Sequence, residues 1–398
     1  MKNHAWLDSS VILLFIYSFF TKFHLWMPIY VLYLQQERGL SLATIGIVEG
    51  IGWVAAALAE VPAGIVADRF GRNRALMVGA FVMAPAMVLY AYTDWFPMIC
   101  FLQIVWSVGG SFLSGADQAL LYDHLQERGM GNLFSKAVSY QLAIMRIASA
   151  LAGIIGGWLA TYSLGIPLIV CGILSFGAAC VAFFIKEPKQ TDEAEAKKNE
   201  SLIRFFLNTS SKVWNAQRLI NVLLYSAILA VPAFCFTFLF VSPFLHEKGM
   251  AIEWLGLVFI LIQGTSILGS IVSYRIEKRL GEAATVSTFT VLMALSILML
   301  PILPDLSGII CMILTSFFYS IIEPVLINMT NQRISGDSRS TLLSYSSMLK
   351  TIILAVLVPF FGKLAEEVGY PVLCILIAIV LISLPALFLR KEKGTATP

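Results

Sequence analysis

Apolar residues run along this chain in long blocks separated by short polar stretches. Twelve blocks fall near residues 9–34, 42–66, 75–93, 97–121, 138–161, 165–185, 218–244, 253–274, 284–302, 307–327, 341–361 and 371–389. Each is close to or above the roughly 20 residues that a helix needs to cross a hydrocarbon core. A strand of a membrane barrel would instead alternate polar and apolar over about 10 residues. The pattern predicts an all-α membrane protein with twelve transmembrane helices. Most connections are short, so neighbouring helices should run antiparallel. The exception is 187–217, polar around Pro188 and ending in SLIRFFLNTSSKVWN. There Leu202, Phe205, Phe206 and Val213 predict an amphipathic helix on a membrane surface. The chain thus divides into an N-terminal six-helix bundle over 1–186, a cytoplasmic linker and a C-terminal six-helix bundle over 218–398.

The two halves echo each other. QERGLSLATIG follows the first block and HEKGMAIEWLG the seventh. Asp117 of the fourth block has a counterpart in Glu323 of the tenth, and Ser139-Tyr140 opens the fifth block as Ser344-Tyr345 opens the eleventh. Parallel six-helix repeats imply a pseudo-two-fold axis along the membrane normal, with a central cavity between the bundles. Lysine and arginine set the orientation. With the N-terminus inside, inner segments hold 21 of the 27 basic residues and outer loops hold three, Arg38, Lys248 and Lys363. Both termini are therefore expected in the cytoplasm of a cell whose inner membrane this protein spans.

Composition closes off other classes. Of 398 residues, 58% are hydrophobic and only 13% charged, and the mean hydropathy is +0.83. Soluble domains carry about 25% charged residues. The six cysteines all lie in apolar blocks without close pairing, so neither a disulfide frame nor a metal site is expected. The first block continues to Leu34, past the apolar core of a cleavable signal. The four histidines are scattered and form no enzyme motif such as H-E-x-x-H. No phosphate-binding loop is visible. The expectation is a transporter and not an enzyme, with no cofactor, no metal and no nucleic-acid partner.

Between the second and third blocks stands Gly64-Ile-Val-Ala-Asp68-Arg69-Phe-Gly71-Arg72-Asn-Arg74. Gly64 would allow close helix approach and Gly71 a tight turn. Positive charge alone would hold the loop in the cytosol, but that does not explain the ordered string. The string resembles the signature loop of the major facilitator superfamily, G-x-x-x-D-R/K-x-G-R-R/K. Gly64, Asp68, Arg69, Gly71 and Arg72 match, and Asn73 departs. The resemblance implies that fold over essentially the whole chain, and a cytoplasmic gate in which Asp123 meets Arg72 or Arg69. The second half carries a worn copy, SIVSYRIEKRLG, with Tyr274 in place of the acid. Drug–proton antiporters of this superfamily often carry G-P-x-x-G-G in the fifth span. Here Gly153, Gly156 and Gly157 persist without the proline, equally consistent with plain helix packing. The arginine those antiporters often place in span four is absent, Val105 and Trp106 lying in that region.

Seven charges fall inside the blocks: Glu49, Glu60, Asp117 and Glu323, with Lys22, Arg146 and Lys350. Each costs about 2.5–3.5 kcal/mol on insertion scales, so such groups face a cavity or a partner. Asp117 with Arg146 and Glu323 with Lys350 lie about 10 Å deep by helical rise, which suggests two pseudo-symmetric ion pairs. These either tie helices together or handle a coupling proton, since burial and neighbouring charge together tune a carboxyl. Glu49 and Glu323 are the preferred coupling acids. Lys22 is expected to meet Glu49 or an anionic group. Lys22, His24, Trp26, Trp53 and Trp106 are candidates for the cavity lining. The residues point to a monomeric secondary transporter using protons, exporting small amphipathic organic compounds of drug type. Uptake of a polar or anionic metabolite is the alternative.

Overall fold

The computed structural model describes residues 7–187, 217–303, 307–332 and 339–393. The amphipathic helix expected before 217 lies outside the described residues, as do the side chains of Ser344 and Tyr345. Described residues contain helices and no strand.

The first predicted span is two helices, α1 (Ser9–Lys22) and α2 (Tyr30–Gln36). Asp8 starts α1, its Oδ1 accepting from Val11 N at 2.9 Å, which satisfies one of the orphan donors of a helix start. Between the helices, Leu25 N donates to Phe23 O and Ile29 N to Trp26 O. Pro28, which has no N–H, falls in this turn. Next come α3 (Leu42–Phe70) and α4 (Arg72–Tyr90). The fourth span is also divided, into α5 (Phe96–Leu113) and α6 (Ala116–Glu127). Gly115 makes that break with φ +76°, a conformation costly for any other residue. Two unbroken helices complete the first half, α7 (Phe134–Ala160) and α8 (Ile166–Phe184).

The second half opens with α9 (Gln217–Phe234), a π-helical turn (Cys235–Leu239) and α10 (Val241–Glu247). Helices α11 (Ile252–Leu280), α12 (Glu282–Met299) and α13 (Gly308–Gln332) follow. The last two predicted spans join in α14 (Arg339–Lys393), interrupted at Gly369 with φ +77°. Ten described helical stretches are long and apolar enough to cross a membrane, and α1 is a shorter apolar helix.

The halves match in register and packing. Helices α3 and α11 each have 29 residues and end at glycines with positive φ, Gly71 at +104° and Gly281 at +81°. This register corrects the sequence alignment of the worn motif: Lys278, not Tyr274, occupies the position of Asp68. In the first half α4 packs on α5 and α8, and α1 on α7 and α8. In the second half α12 packs on α13 and α14, and α9 on α13 and α14.

Contacts resolve the chain into two compact units. The first holds α1, α2, α3 from Ile51 onward, α4 to α8, and the short segment Ile252–Leu257. Its core includes Leu14, Tyr17, Leu76, Leu120 and Leu125, and the Tyr17 hydroxyl donates to Leu76 O at 3.0 Å. The second holds Gly39–Gly50, α9, α10, α11 from Val258 onward, and α12 to α14. Each unit therefore takes in one helix end from the other half of the sequence.

Small residues allow both insertions. In the first unit a Cβ on Gly256 would overlap the carbonyl of Gly153, and one on Gly157 would lie 2.9 Å from Glu253 O. In the second unit a Cβ on Gly46 would lie 2.8 Å from Pro359 Cα, and one on Gly50 2.9 Å from Ala355 O. There the Glu366 carboxylate accepts from Leu42 N and Ala43 N, an anionic cap on a helix start. The glycines of α7 thus serve close packing. Gly156 fits against the carbonyl of Leu25 in the broken first span, which leaves no room for a methyl group. Gly156→Ala should therefore lower the thermal midpoint of the purified protein, with a cost of about 1–3 kcal/mol expected for overpacking. Gly177→Ala, where a Cβ would have nothing within 4 Å, should leave it unchanged. Equal midpoints for the two variants would remove this packing role.

Candidate functional site

The loop between α3 and α4 is built from its turn outward. Gly71 ends α3 and Arg72 begins α4. From α6, Asp123 forms an ion pair with the Arg72 guanidinium. The residues just after α8 hold the loop from the other side. The Glu187 carboxylate accepts from Arg72 N and Asn73 N, both at 2.8 Å, and Asn73 Nδ2 donates to Ile185 O at 3.1 Å. Asn73, where the family pattern often has a basic residue, is therefore a tether. Arg69 and Arg74 are exposed. The Asp68 side chain lies outside the described residues. The close-approach role expected for Gly64 is not found, since a Cβ there would meet no atom within 4 Å. Gly64 is exposed.

The corresponding loop of the second half has reversed polarity. Glu282 stands where Arg72 does, at the first residue of its helix. It accepts from Asn328 Nδ2 at 3.4 Å and Gln332 Nε2 at 2.9 Å. Asn328 also donates to Glu277 at 3.0 Å. A carboxylate–amide contact thus replaces the Arg72–Asp123 pair. Neither Glu187 nor Glu282 stood out in the sequence, because a single acid beside a polar loop carries no pattern.

The expected intramembrane ion pairs divide. Glu323 and Lys350 come together at 2.8 Å. Tyr319 joins them, donating to Glu323 Oε1 at 3.0 Å and accepting from Lys350 Nζ at 3.0 Å. Asp117 and Arg146 do not pair. Arg146 is exposed. Asp117 instead sits in the first turn of α6, just after the Gly115 break. Its Oδ1 accepts from Gln118 N at 2.8 Å and its Oδ2 from Gln141 Nε2 at 3.0 Å. Gln141 Nε2 also donates to Ser18 Oγ at 2.9 Å. Gln141 and Ser18 are both buried. A lone amide within an apolar helix is the signal in the sequence that points to Gln141. Lys22, exposed at the end of α1, is the cation whose field reaches Asp117. Glu49 is buried on α3.

Of the candidate cavity residues, three cluster. His24 stacks on Trp26 with centroids 5.8 Å apart, and Trp106 meets His24 at 5.8 Å and Trp26 at 6.1 Å, both edge-on. Tyr30 extends the group at 5.0 Å from Trp26. The space left among Trp26, Tyr30, Tyr90, Gln103 and Trp106 is about 10 Å³, room for no more than one water. These rings therefore pack on one another in this state, and do not surround an open chamber. Trp53 lies on α3, half-buried. Among the described residues no group of histidine, cysteine and acidic side chains could hold a metal ion.

With this geometry in hand, known proteins supply the class. Residues 11–352 match the Major Facilitator Superfamily, and the chain belongs to that family. It is 22% identical over 361 residues to YxaM, an uncharacterized MFS-type transporter of Bacillus subtilis, spanning 89% of this chain and 88% of that one. It is 24% identical over 222 residues to the inner membrane transport protein YajR of Escherichia coli, covering 52% of this chain and 45% of that protein. Its fold resembles the nucleoside transporter NupG (TM-score 0.80, 16% identity, 97% of this chain and 100% of that one). It also resembles a bacterial homologue of the lysosomal transporter Spinster (TM-score 0.71, 14% identity, 97% of each chain). The protein is a multi-pass membrane transporter with a small-molecule substrate.

A double-mutant cycle with Arg72→Gln and Asp123→Asn tests the loop pair. Both side chains are partly exposed, at 28% and 36%. A coupling energy of about 0.2–1 kcal/mol is therefore expected from thermal unfolding at low salt, weakening as salt is added. Additive single effects would show that the contact carries no energy.

Proposed function

We propose that this chain is a proton-coupled secondary transporter of the cell membrane that exports small amphipathic aromatic compounds by alternating access. It crosses the membrane twelve times, with α1 and α2 together forming the first crossing and α14 two crossings on either side of Gly369. Both termini lie in the cytoplasm, as the lysine and arginine distribution supports. The halves 1–186 and 218–398 act as the rocking bodies. The loop of Asp68, Arg69, Arg72 and Asp123 acts as the cytoplasmic gate. The protein works as a monomer.

The observation that carries this reading is the environment of Asp117. Inside a membrane an acid needs a partner. Glu323 has a cation and a phenol within 3.0 Å, which favours a helix-tying role. Asp117 has an amide, a hydroxyl-linked network and a half-helix start, with no cation at ion-pair distance among the described residues. Half-helix starts at a break in a span are where transporters of many folds bind their ions and substrates. A carboxylate held by neutral donors can accept and release a proton without stranding a counter-ion. The aromatic group of His24, Trp26, Tyr30 and Trp106 supports a planar, apolar cargo, to which it would open during the cycle.

A second reading, uptake of a polar or anionic metabolite, draws on Lys22 and Arg146, two membrane-level cations without an ion-pair partner among the described residues. Purified protein in liposomes with an internal pH dye separates the two. Under an imposed proton gradient, ethidium should drive proton movement opposite to its own, and Asp117→Asn should abolish uphill ethidium transport. Glu323→Gln should weaken transport less. Proton movement only with a polar anion such as citrate, in the same direction, would establish uptake. Unaltered uphill transport by Asp117→Asn would end the coupling role of that residue.

A further inference from the structure

Gln141 is the side chain that joins three helices around Asp117. It rises from α7, is 1% exposed, and sends its amide nitrogen to Ser18 of α1 and Asp117 of α6. Its Oε1 is buried and has no hydrogen-bond partner among the described residues. An unpaired buried carbonyl is costly, so its retention at this spot calls for a reason. The groups facing Asp117 are few. From α1 come the Tyr17 hydroxyl, committed to Leu76 O, and the Lys22 charge. From α6 comes Gln118 N.

We propose that Gln141 is a positioning residue for Asp117, whose amide takes opposite orientations in the ionised and protonated states of that acid. The inference rests on the reading of Asp117 as the proton-carrying group. With Asp117 ionised, the two amide hydrogens of Gln141 go to Asp117 Oδ2 and Ser18 Oγ, the arrangement observed. When Oδ2 takes a proton from water it becomes a donor and no longer suits an N–H partner. A half-turn of the amide brings Oε1 round to the same place. A carbonyl oxygen has two lone pairs, one for the Asp117 O–H and one for the Ser18 O–H. No bond in Gln141 is made or broken. The idle oxygen is the acceptor held ready for the protonated state. Because Ser18 and Gln141 sit on α1 and α7, proton arrival on α6 is passed to both helices through one side chain.

The test needs no substrate. In the purified full-length protein the protonated-carboxyl infrared band of Asp117 is titrated against pH and assigned by its loss in Asp117→Asn. Gln141→Met keeps the length and removes both donor and acceptor. It should move the titration midpoint up by about one pH unit, a tenfold change in proton affinity, because the charge-assisted bond lost from the ionised form is stronger than the neutral bond lost from the protonated one. The band frequency should shift as well, since the protonated form loses its acceptor. Ser18→Ala leaves the contact with Asp117 and should leave midpoint and frequency close to those of the parent. If Gln141→Met does not fold, Gln141→Asn, whose shorter amide falls short of Oδ2, should give the same shift. A parental midpoint and frequency in the folded Gln141 variant would overturn the proposal, and so would an equal shift in Ser18→Ala. Failure of the coupling reading looks different: Asp117→Asn would export ethidium uphill as the parent does, while the infrared midpoint would still respond to Gln141.

Discussion

Every peptide group in the hydrocarbon must find its hydrogen bond within the protein. That constraint makes each span helical, and gives meaning to the places where a helix stops. Three spans break within the apolar blocks. In the first, tight turns from Phe23 to Ile29 keep the backbone paired and Pro28 removes one donor. In the fourth, Gly115 turns the chain so that Ala119 N reaches back to Gly115 O at 3.0 Å. In the seventh, a π-helical turn closes with Phe240 N on Cys235 O at 2.8 Å. The first two breaks lie in one unit, and His24, Trp26, Lys22 and Asp117 all stand on or beside them. In that unit polar chemistry gathers where the regular ladder is interrupted, because there backbone groups and side chains share partners.

The repeat is stricter in backbone than in chemistry. Helices α3 and α11 have equal length and end on glycines of the same hand. The residues after those glycines are opposites, an arginine in one half and a glutamate in the other. In the first half a cation meets a carboxylate from α6, while in the second a carboxylate meets two amides from α13. The contact position persists while its charge changes. The intramembrane acids show the same divergence. Glu323 has a fixed cation, and Asp117 has exchanged that partner for an amide and a helix start. A pair of equivalent sites has thus separated into one held by charge and one held by neutral hydrogen bonds.

Periodicity and charge placement alone determined the class of this protein. Apolar blocks of the length of a bilayer admit helices and little else, and the ordered string from Gly64 to Arg72 carries the family resemblance. Candidate residues were legible wherever a charge sat in an apolar block, since its cost there requires a reason. Which charges meet was decided by tertiary structure. Asp117 and Arg146 have the spacing of a pair along their helices, but the arginine is exposed and the two do not meet. Gln141, Glu187 and Glu366 are ordinary polar residues in the sequence and acquire their roles only when another helix arrives within hydrogen-bond reach. The small residues of α7 read equally well as motif or as packing until Gly256 and Leu25 lay against them. Sequence fixes what each segment costs in lipid; only the fold fixes which faces turn toward each other to repay it.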